Sequence, residues 1–586
     1  MRARFACALF AILLSPAVFT AENDLSVAWI ARTPKIDYVW NSTRPTVEGW
    51  PAEGDTVTWV ANVRWLGAGP LEDVHYRWLI DGLVAGTGTL DFAPEGLAQA
   101  QLPWTWTFAR HRIIFEVDPQ NVIAETEERN NRLLVHSNAL GVGIWVERTF
   151  WESIRPVVKS ADIGASTFDD WMQRQIRHFN EMAASAIYPD TPDGVLDRWR
   201  IDEIHLVEDG ALPLTPPYSE AHDWGAGSDT GTIYPNVLDH SIDMQWGFPA
   251  STASHWNNGD NWTMTTGNSI IHELSHARTM IDVYASNITR DGDVVPLQPA
   301  PPAQSGNTIY STPLHGLMHF GWGRIDPYTA AAMNRMTGSR AIAGNYNEPW
   351  NIGFFLNDLP ALNRVRFVRQ DGTAIAEGRI RIYQSRGATA DITKLQAYAM
   401  AFRSTPDIDV TTDGDGAVVL DRNLFGDDPL VAEVDQKNGV AIVEIADGST
   451  TRWAYLDSLF FNMAYWRGET DQAEYQIVAD APLCLDSVGS PAKPAPEAAV
   501  TTPEVTFQFP VQAGHTYDLF YTIEGGAPQD VKTTSGSVKL TLPHSRIVWW
   551  YVDRSPVGNC LPKYSSVYGF DHLAGSLPTR RRAANH

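Results

Sequence analysis

Two histidines four residues apart, His272 and His276, enclose Glu273, Leu274 and Ser275 in the segment NSIIHELSHARTMIDVY. On a helix, residues i and i+4 lie one turn apart on the same face, so both imidazoles can reach one Zn²⁺ at about 2.0–2.1 Å. Glu273, next to the first histidine, is the candidate general base, a carboxylate able to take a proton from a water that the metal acidifies. The chemistry this predicts is metal-assisted hydrolysis. The plainer alternative is a surface helix with unrelated histidines, but Ile270, Ile271 and Leu274 give the segment an apolar flank suited to a core-facing helix. A catalytic zinc wants a third protein ligand and an open position, and the two histidines make only half of the set.

Counting on from His276, Asp282 falls where the pattern H-E-x-x-H-x-x-G-x-x-H/D has its last ligand. In this the segment resembles bacterial secreted zinc metallopeptidases of metzincin type, a resemblance that covers roughly residues 168 to 338. It implies Asp282 as the third ligand and, within LHGLMHFGWGRIDPYTAAAMNRMTG, Met318 as the methionine of a Met-turn under the metal. Two positions depart from the pattern. Thr279 stands where the family has the glycine that lets the chain turn back, and a β-branched residue at positive φ is costly. Were the helix to run on, Asp282 would lie about 240° around the axis from His276. Ile270, Leu274, Ala277, Ile281 and Tyr284 would suit such a continuous helix, leaving His315 and His319 as fallback ligands. Phe320 stands where some relatives carry a tyrosine that supports the transition state, so another group must stabilise the oxyanion.

The elements that hold such a site must come from several compact units, since 586 residues exceed a single domain several-fold. Residues 22–140 alternate in short segments such as TVTWVANVRW and RIIFEVD, which predict a β-sandwich and resemble bacterial cell-adhesion-related Ig-like modules. Its turn PQNVIAETEERNN, with Glu125, Glu127, Glu128, Asn130 and Asn131, invites a calcium reading, although solvated turn chemistry accounts for it more simply. Residues 141–350 mix helix and strand: Ser166 or Thr167 caps an amphipathic helix whose core face is Phe168, Met172, Ile176, Phe179 and Ala183. Upstream of His272, SIDMQWGFP reads either as an edge strand that aligns an extended substrate or as a core strand. Residues 351–486 predict a second sandwich, with DGDGA (413–417) as a tight turn. A Pro- and Ala-rich linker (487–503), a fibronectin type III-like module (504–577) and a tail (578–586) follow. The fold class expected is therefore multidomain, an α+β zincin-like catalytic domain flanked by β-sandwich (Ig-like) domains.

A net charge of -25 without any Lys/Arg stripe excludes nucleic acid as a partner. Residues 1–21 read as a signal peptide and no later segment approaches about 20 apolar residues, so the chain is expected to be secreted, extracellular or periplasmic, and not membrane-embedded. Cys7 leaves with the leader, and Cys484 and Cys560 are expected to bridge in an oxidising compartment. The 22 tryptophans leave a cell-surface or carbohydrate ligand open for the modules, though Trp is also a common core residue. The function expected is a zinc-dependent endopeptidase acting on protein or peptide. The alternative is a surface adhesin or binding protein of Ig-like modules with an inactive peptidase-like domain.

Overall fold

A computed structural model describes residues 23–35, 50–161, 163–212, 244–252, 268–276, 278, 280–320, 323–337, 354–387, 400–425, 439–482, 488, 493–496, 498–524, 526–543, 547–555 and 563–573. The expected leader, the cysteines Cys484 and Cys560, Ala277, Thr279 and the tail 578–586 lie outside the described residues.

The first module follows from strict alternation. In β2 (Thr56–Trp65), Val57, Trp59, Ala61, Val63 and Trp65 all turn inward, so one face is apolar and the register is fixed. β2 sits between β1 (Leu25–Thr33) and β5 (Leu97–Thr105) in one antiparallel sheet. The second sheet orders β4 (Leu83–Phe92), β3 (Leu71–Ile80), β6 (Arg112–Val117) and β7 (Arg132–His136). The two close over Trp59, Trp78 and Trp106, an Ig-like β-sandwich. The turn after β6 departs from expectation. Asp118 accepts hydrogen bonds from the Val122 and Ile123 N–H groups, and the chain then runs inward, leaving Asn130 only 6% and Asn131 only 5% exposed. Burial pushes the Glu125 carboxyl up to about 9. The end of the turn is covered by Asp24 before β1 and by the helix below it, while Val122 within the turn stays 66% exposed.

The middle domain is built on a parallel sheet. β8 (Leu140–Glu147) is buried along its whole length, as a central parallel strand must be, and pairs with β9 (Trp199–Val207) on one side and β10 (Met244–Phe248) on the other. Helices α1 (Arg148–Ala161) and α2 (Phe168–Ser185) make the crossover. Thr167 and Asp170 form the capping box of α2, and its expected core face is buried. The far face of α2 is buried as well, because neighbouring modules enclose it. Gln173 donates to the Ala28 carbonyl of the first module at 2.7 Å, and His178 bonds the Val567 carbonyl at 3.0 Å while stacking on Trp549 of the last module. The helix is central, and Gln173 and His178 reach the backbone of two other modules from it.

Burial leaves two junction histidines neutral. It lowers His178 to about 4, and together with Arg198, Arg110 and Arg112 it lowers His136 to about 3. Groups with depressed folded values contribute stability above the unfolded value near 6.5 and lose it as pH falls through the folded value. The stability advantage of wild type over His178→Asn is therefore expected to shrink by up to about 3 kcal/mol between pH 7 and pH 4. Urea midpoints of the two proteins that stay parallel over that range contradict the assignment.

In the second sandwich, Leu362–Val368 lies between Ala417–Asp421 and Gln472–Val478. Arg379–Gln384 lies between Ile408–Thr411 and Val440–Asp447, which continues to Thr450–Asp457. DGDGA is a tight turn: Asp413 Oδ1 accepts from the Asp415 and Ala417 N–H groups, and Gly416 takes φ +77°. The core of this sandwich is continuous with that of the middle domain. In the last module a five-strand path faces the pair Glu504–Gln508 and Ser537–Thr541 across Phe507, Leu519 and Trp550. The stretch expected as linker enters that sheet, since Ala499–Val500 pairs with Asp571–His572 and fills an open edge. Seven tryptophans are among the largest fully buried side chains, so much of the tryptophan content serves cores. Among the described residues no helix is long and apolar enough to cross a membrane.

Candidate metal centre

Helix α3 (Asn268–His276) buries Ile270, Ile271 and Leu274 completely and carries His272 and His276 one turn apart. The Nδ1 atom of His272 donates to the Leu317 carbonyl at 2.8 Å, and that of His276 donates to the Met280 carbonyl at 2.7 Å. Each carbonyl fixes the ring's orientation with the proton on Nδ1, which leaves the Nε2 lone pair for a ligand. Both Nε2 atoms face one oxygen, Asp282 Oδ1, at 3.0 Å from His272 and 3.6 Å from His276. Among the described residues these three side chains are the group of His, Cys, Asp or Glu whose ligand atoms lie within 4.8 Å of one another, and all three are buried. Bonds of 2.0–2.1 Å around a tetrahedral zinc imply ligand–ligand edges of about 3.3 Å, which the two measured distances bracket. Burial alone would raise the Asp282 carboxyl, but His276, His272 and the Tyr284 hydroxyl outweigh it and hold Asp282 below its ordinary value. It is ionised at neutral pH, as a ligand must be.

The helix stops at His276, so the continuous-helix alternative is not what the chain adopts. The N–H groups of Arg278 and Met280 both return to the Ser275 carbonyl, at 2.9 and 3.3 Å, closing the last turn. The chain then bends back until Asp282 stands at the head of a short 3₁₀ turn, Val283–Ser286. What pins this bend is Arg278, only 1% exposed, whose Nε and Nη2 both donate to Asp197 Oδ2 while Nη2 also donates to the Met336 carbonyl. A buried ion pair thus anchors the chain between His276 and Asp282. Asp197→Ala, which strands the Arg278 charge, is expected to cost about 3–5 kcal/mol in chemical denaturation and to lower metal affinity with it.

The segment called a Met-turn forms α4 (Leu317–Phe320), packed on α3, and Met318 is fully buried one residue past the carbonyl that orients His272. It leads into α5 (Pro327–Arg335), capped by Asp326. His315 and His319 do not join the three ligands. They stack on each other with centroids 4.3 Å apart, and Asn287 lies 3.2 Å from His319 Nε2. Glu273 lies within α3, but its side chain and that of Phe320 lie outside the described residues. β10, the described part of SIDMQWGFP, is the edge of its sheet among the described residues while Met244, Trp246 and Phe248 face the core.

Sequence reasoning missed Arg278, Asp197 and the oxygen of Tyr284. Only Tyr284, two residues after Asp282, left a local signal.

No protein-family model matches the chain, and no curated protein does. Solved structures give fold-level likenesses. A CARDB domain from Pyrococcus furiosus, solved in complex with di-metal ions, is 20% identical over 20% of this chain and 92% of that one, with a TM-score of 0.16. A domain of a putative cell surface protein from Methanosarcina acetivorans is 22% identical over 20% of this chain and 90% of its own, at 0.15. A beta-glucuronidase from glycoside hydrolase family 2 is 8% identical over 90% of this chain and 61% of that one, at 0.16. Likenesses of this size assign no function.

Proposed function

We propose that the chain is a secreted zinc-dependent hydrolase, an endopeptidase whose middle domain is a zincin-like α+β unit carried among β-sandwich modules. The observation that supports this best is the convergence of His272 Nε2, His276 Nε2 and Asp282 Oδ1, buried and with both Nδ1 atoms committed to carbonyls. Two imidazole nitrogens and one carboxylate oxygen are a donor set that suits zinc. When bound, the metal would supply Lewis-acid polarisation of a carbonyl and acidification of a water.

The chain's own residues do the rest. Glu273 takes the proton of the attacking water and returns it to the leaving amine. The Leu317 and Met280 carbonyls keep the two imidazoles in the ligating tautomer, and the Arg278–Asp197 pair keeps Asp282 within reach.

A second reading has its own support. The described strands make three β-sandwich modules around one small α/β unit, and the first is Ig-like, as in proteins whose task is binding. On that reading the chain is a surface binding protein, and His272, Asp282 and His276 form an ion-paired cluster that needs no metal. Cleavage of casein by the full chain, stopped by a zinc chelator and restored by Zn²⁺, is the result expected of the enzyme. Intact casein in the presence of stoichiometric zinc supports the binding protein instead.

A further inference from the structure

Where the first module, the middle domain and the last module meet, a cavity of about 450 Å³ opens to solvent. Its floor is made by Arg198, just before β9, which is 5% exposed, and by His136 on β7 and Glu181 on α2, each 8% exposed. Arg112 on β6 stands directly opposite His136 in the β6–β7 ladder, so the two side chains share a face, and both line the cavity. Arg110, in the segment before β6, joins them from the exposed rim. The same rim carries Ile187 and Pro192 of the middle domain and Pro528 of the last module.

Three guanidinium groups therefore enter one cavity, and among the described residues none of them forms an ion pair with a carboxylate. Arg198 commits Nη1 to the Val195 and Asp197 carbonyls, at 2.6 and 2.7 Å, and its Nε and Nη2 have no partner among the described residues. Arg110 gives Nε to Asn138 Oδ1 at 3.2 Å and Nη2 to the Leu196 carbonyl, which leaves Nη1 over. The Arg112 side chain makes no hydrogen bond among the described residues. The carboxylates nearby are engaged elsewhere or only partly charged. Asp81 accepts from His111 Nδ1 at 2.7 Å and from the Arg112 N–H at 2.9 Å, and Asp197 is held by Arg278. Burial pushes the Glu181 carboxyl up to about 7 against the pull of Arg198, so much of it is uncharged at neutral pH. Asp193 is exposed at the rim, where water screens it. At the floor the field is positive, since the charges that depress His136 are those of Arg198, Arg110 and Arg112.

We propose that this cavity binds a small organic oxyanion, a carboxylate or a phosphate ester, through the guanidinium groups of Arg110, Arg112 and Arg198. A guanidinium presents paired N–H donors that match two oxygens of a carboxylate or phosphate, and such charge-assisted bonds are stronger than neutral ones. The volume lies in the range of small-molecule sites and exceeds what a bare inorganic ion fills. Ile187, Pro192 and Pro528 offer apolar surface at the rim for the uncharged part of the molecule, above a floor that takes its charged end. Because three modules supply the walls, an occupant also ties them together, and it stabilises the folded chain by mass action.

Calorimetric titration of the full chain at neutral pH with succinate and with phenyl phosphate, each against NaCl at the same ionic strength, tests this. At least one of the two probes should bind one-to-one with a Kd of about 1 mM or tighter, and the stronger of them tells a carboxylate from a phosphate ester. Arg112→Gln breaks no side-chain hydrogen bond among the described residues, so it should fold and keep its zinc content while weakening that binding by at least about 10-fold. Binding of neither probe beyond the NaCl response overturns the proposal. So does an affinity unchanged in Arg112→Gln, the result expected of a probe seated on the zinc. Should Arg112→Gln fail to fold, Arg110→Gln on the exposed rim is read by the same two outcomes.

Discussion

Glu273→Gln should leave zinc bound and the fold intact while lowering kcat for casein hydrolysis by at least about 10²–10⁴-fold, the range for loss of a positioned general base. The substitution keeps the side chain's size and removes only its ability to carry a proton. Because His272 and His276 are oriented by the Leu317 and Met280 carbonyls and not by Glu273, the ligand set survives the change. KM should move little, since the lost interaction belongs to the transition state. Metal analysis, circular dichroism and steady-state kinetics on the same preparations check all three parts. Activity that persists in Glu273→Gln removes Glu273 from the reaction.

Asp282→Ala should act on the metal itself. Altered outer partners of a metal site commonly cost 10–100-fold in affinity, and loss of a direct ligand should exceed that, so we expect zinc affinity to fall by more than about 100-fold. The carboxylate is the single oxygen that both Nε2 atoms face, at 3.0 and 3.6 Å, so no described side chain stands ready to replace it. His315→Ala should leave zinc affinity unchanged, because His315 is stacked on His319 away from the three-ligand group. Competition with a chromogenic chelator measures both. An Asp282→Ala chain that holds zinc as tightly as wild type would show that the third ligand lies elsewhere.

The contrast between Asp282 and its surroundings shows how far the sequence could be read. His272 and His276 were legible because a four-residue spacing on a helix is a local property, and β2 was legible because alternation is local too. The break after His276 was not. It depends on Arg278 meeting Asp197, a residue 81 positions away, and on the Met336 carbonyl, and neither leaves a mark near Thr279. The same limit explains α2. Its capping box and core face were readable from spacing, whereas the burial of Gln173 and His178 depends on Ala28 and Val567, in modules far along the chain. Asn130 looked like a solvated turn residue for a similar reason, since the groups it meets come from Asp24 and from the start of α2. The strand at Ala499–Val500 was hidden by flanking prolines that fit a linker equally well.

The central claim is that His272, His276 and Asp282 hold a zinc ion, and the metal content of the purified full chain tests it most directly. Mass spectrometry of the chain's metals after dialysis should find close to one zinc per chain in wild type, retained in Glu273→Gln and lost in Asp282→Ala. Wild-type protein that carries no zinc after exposure to Zn²⁺ contradicts the account.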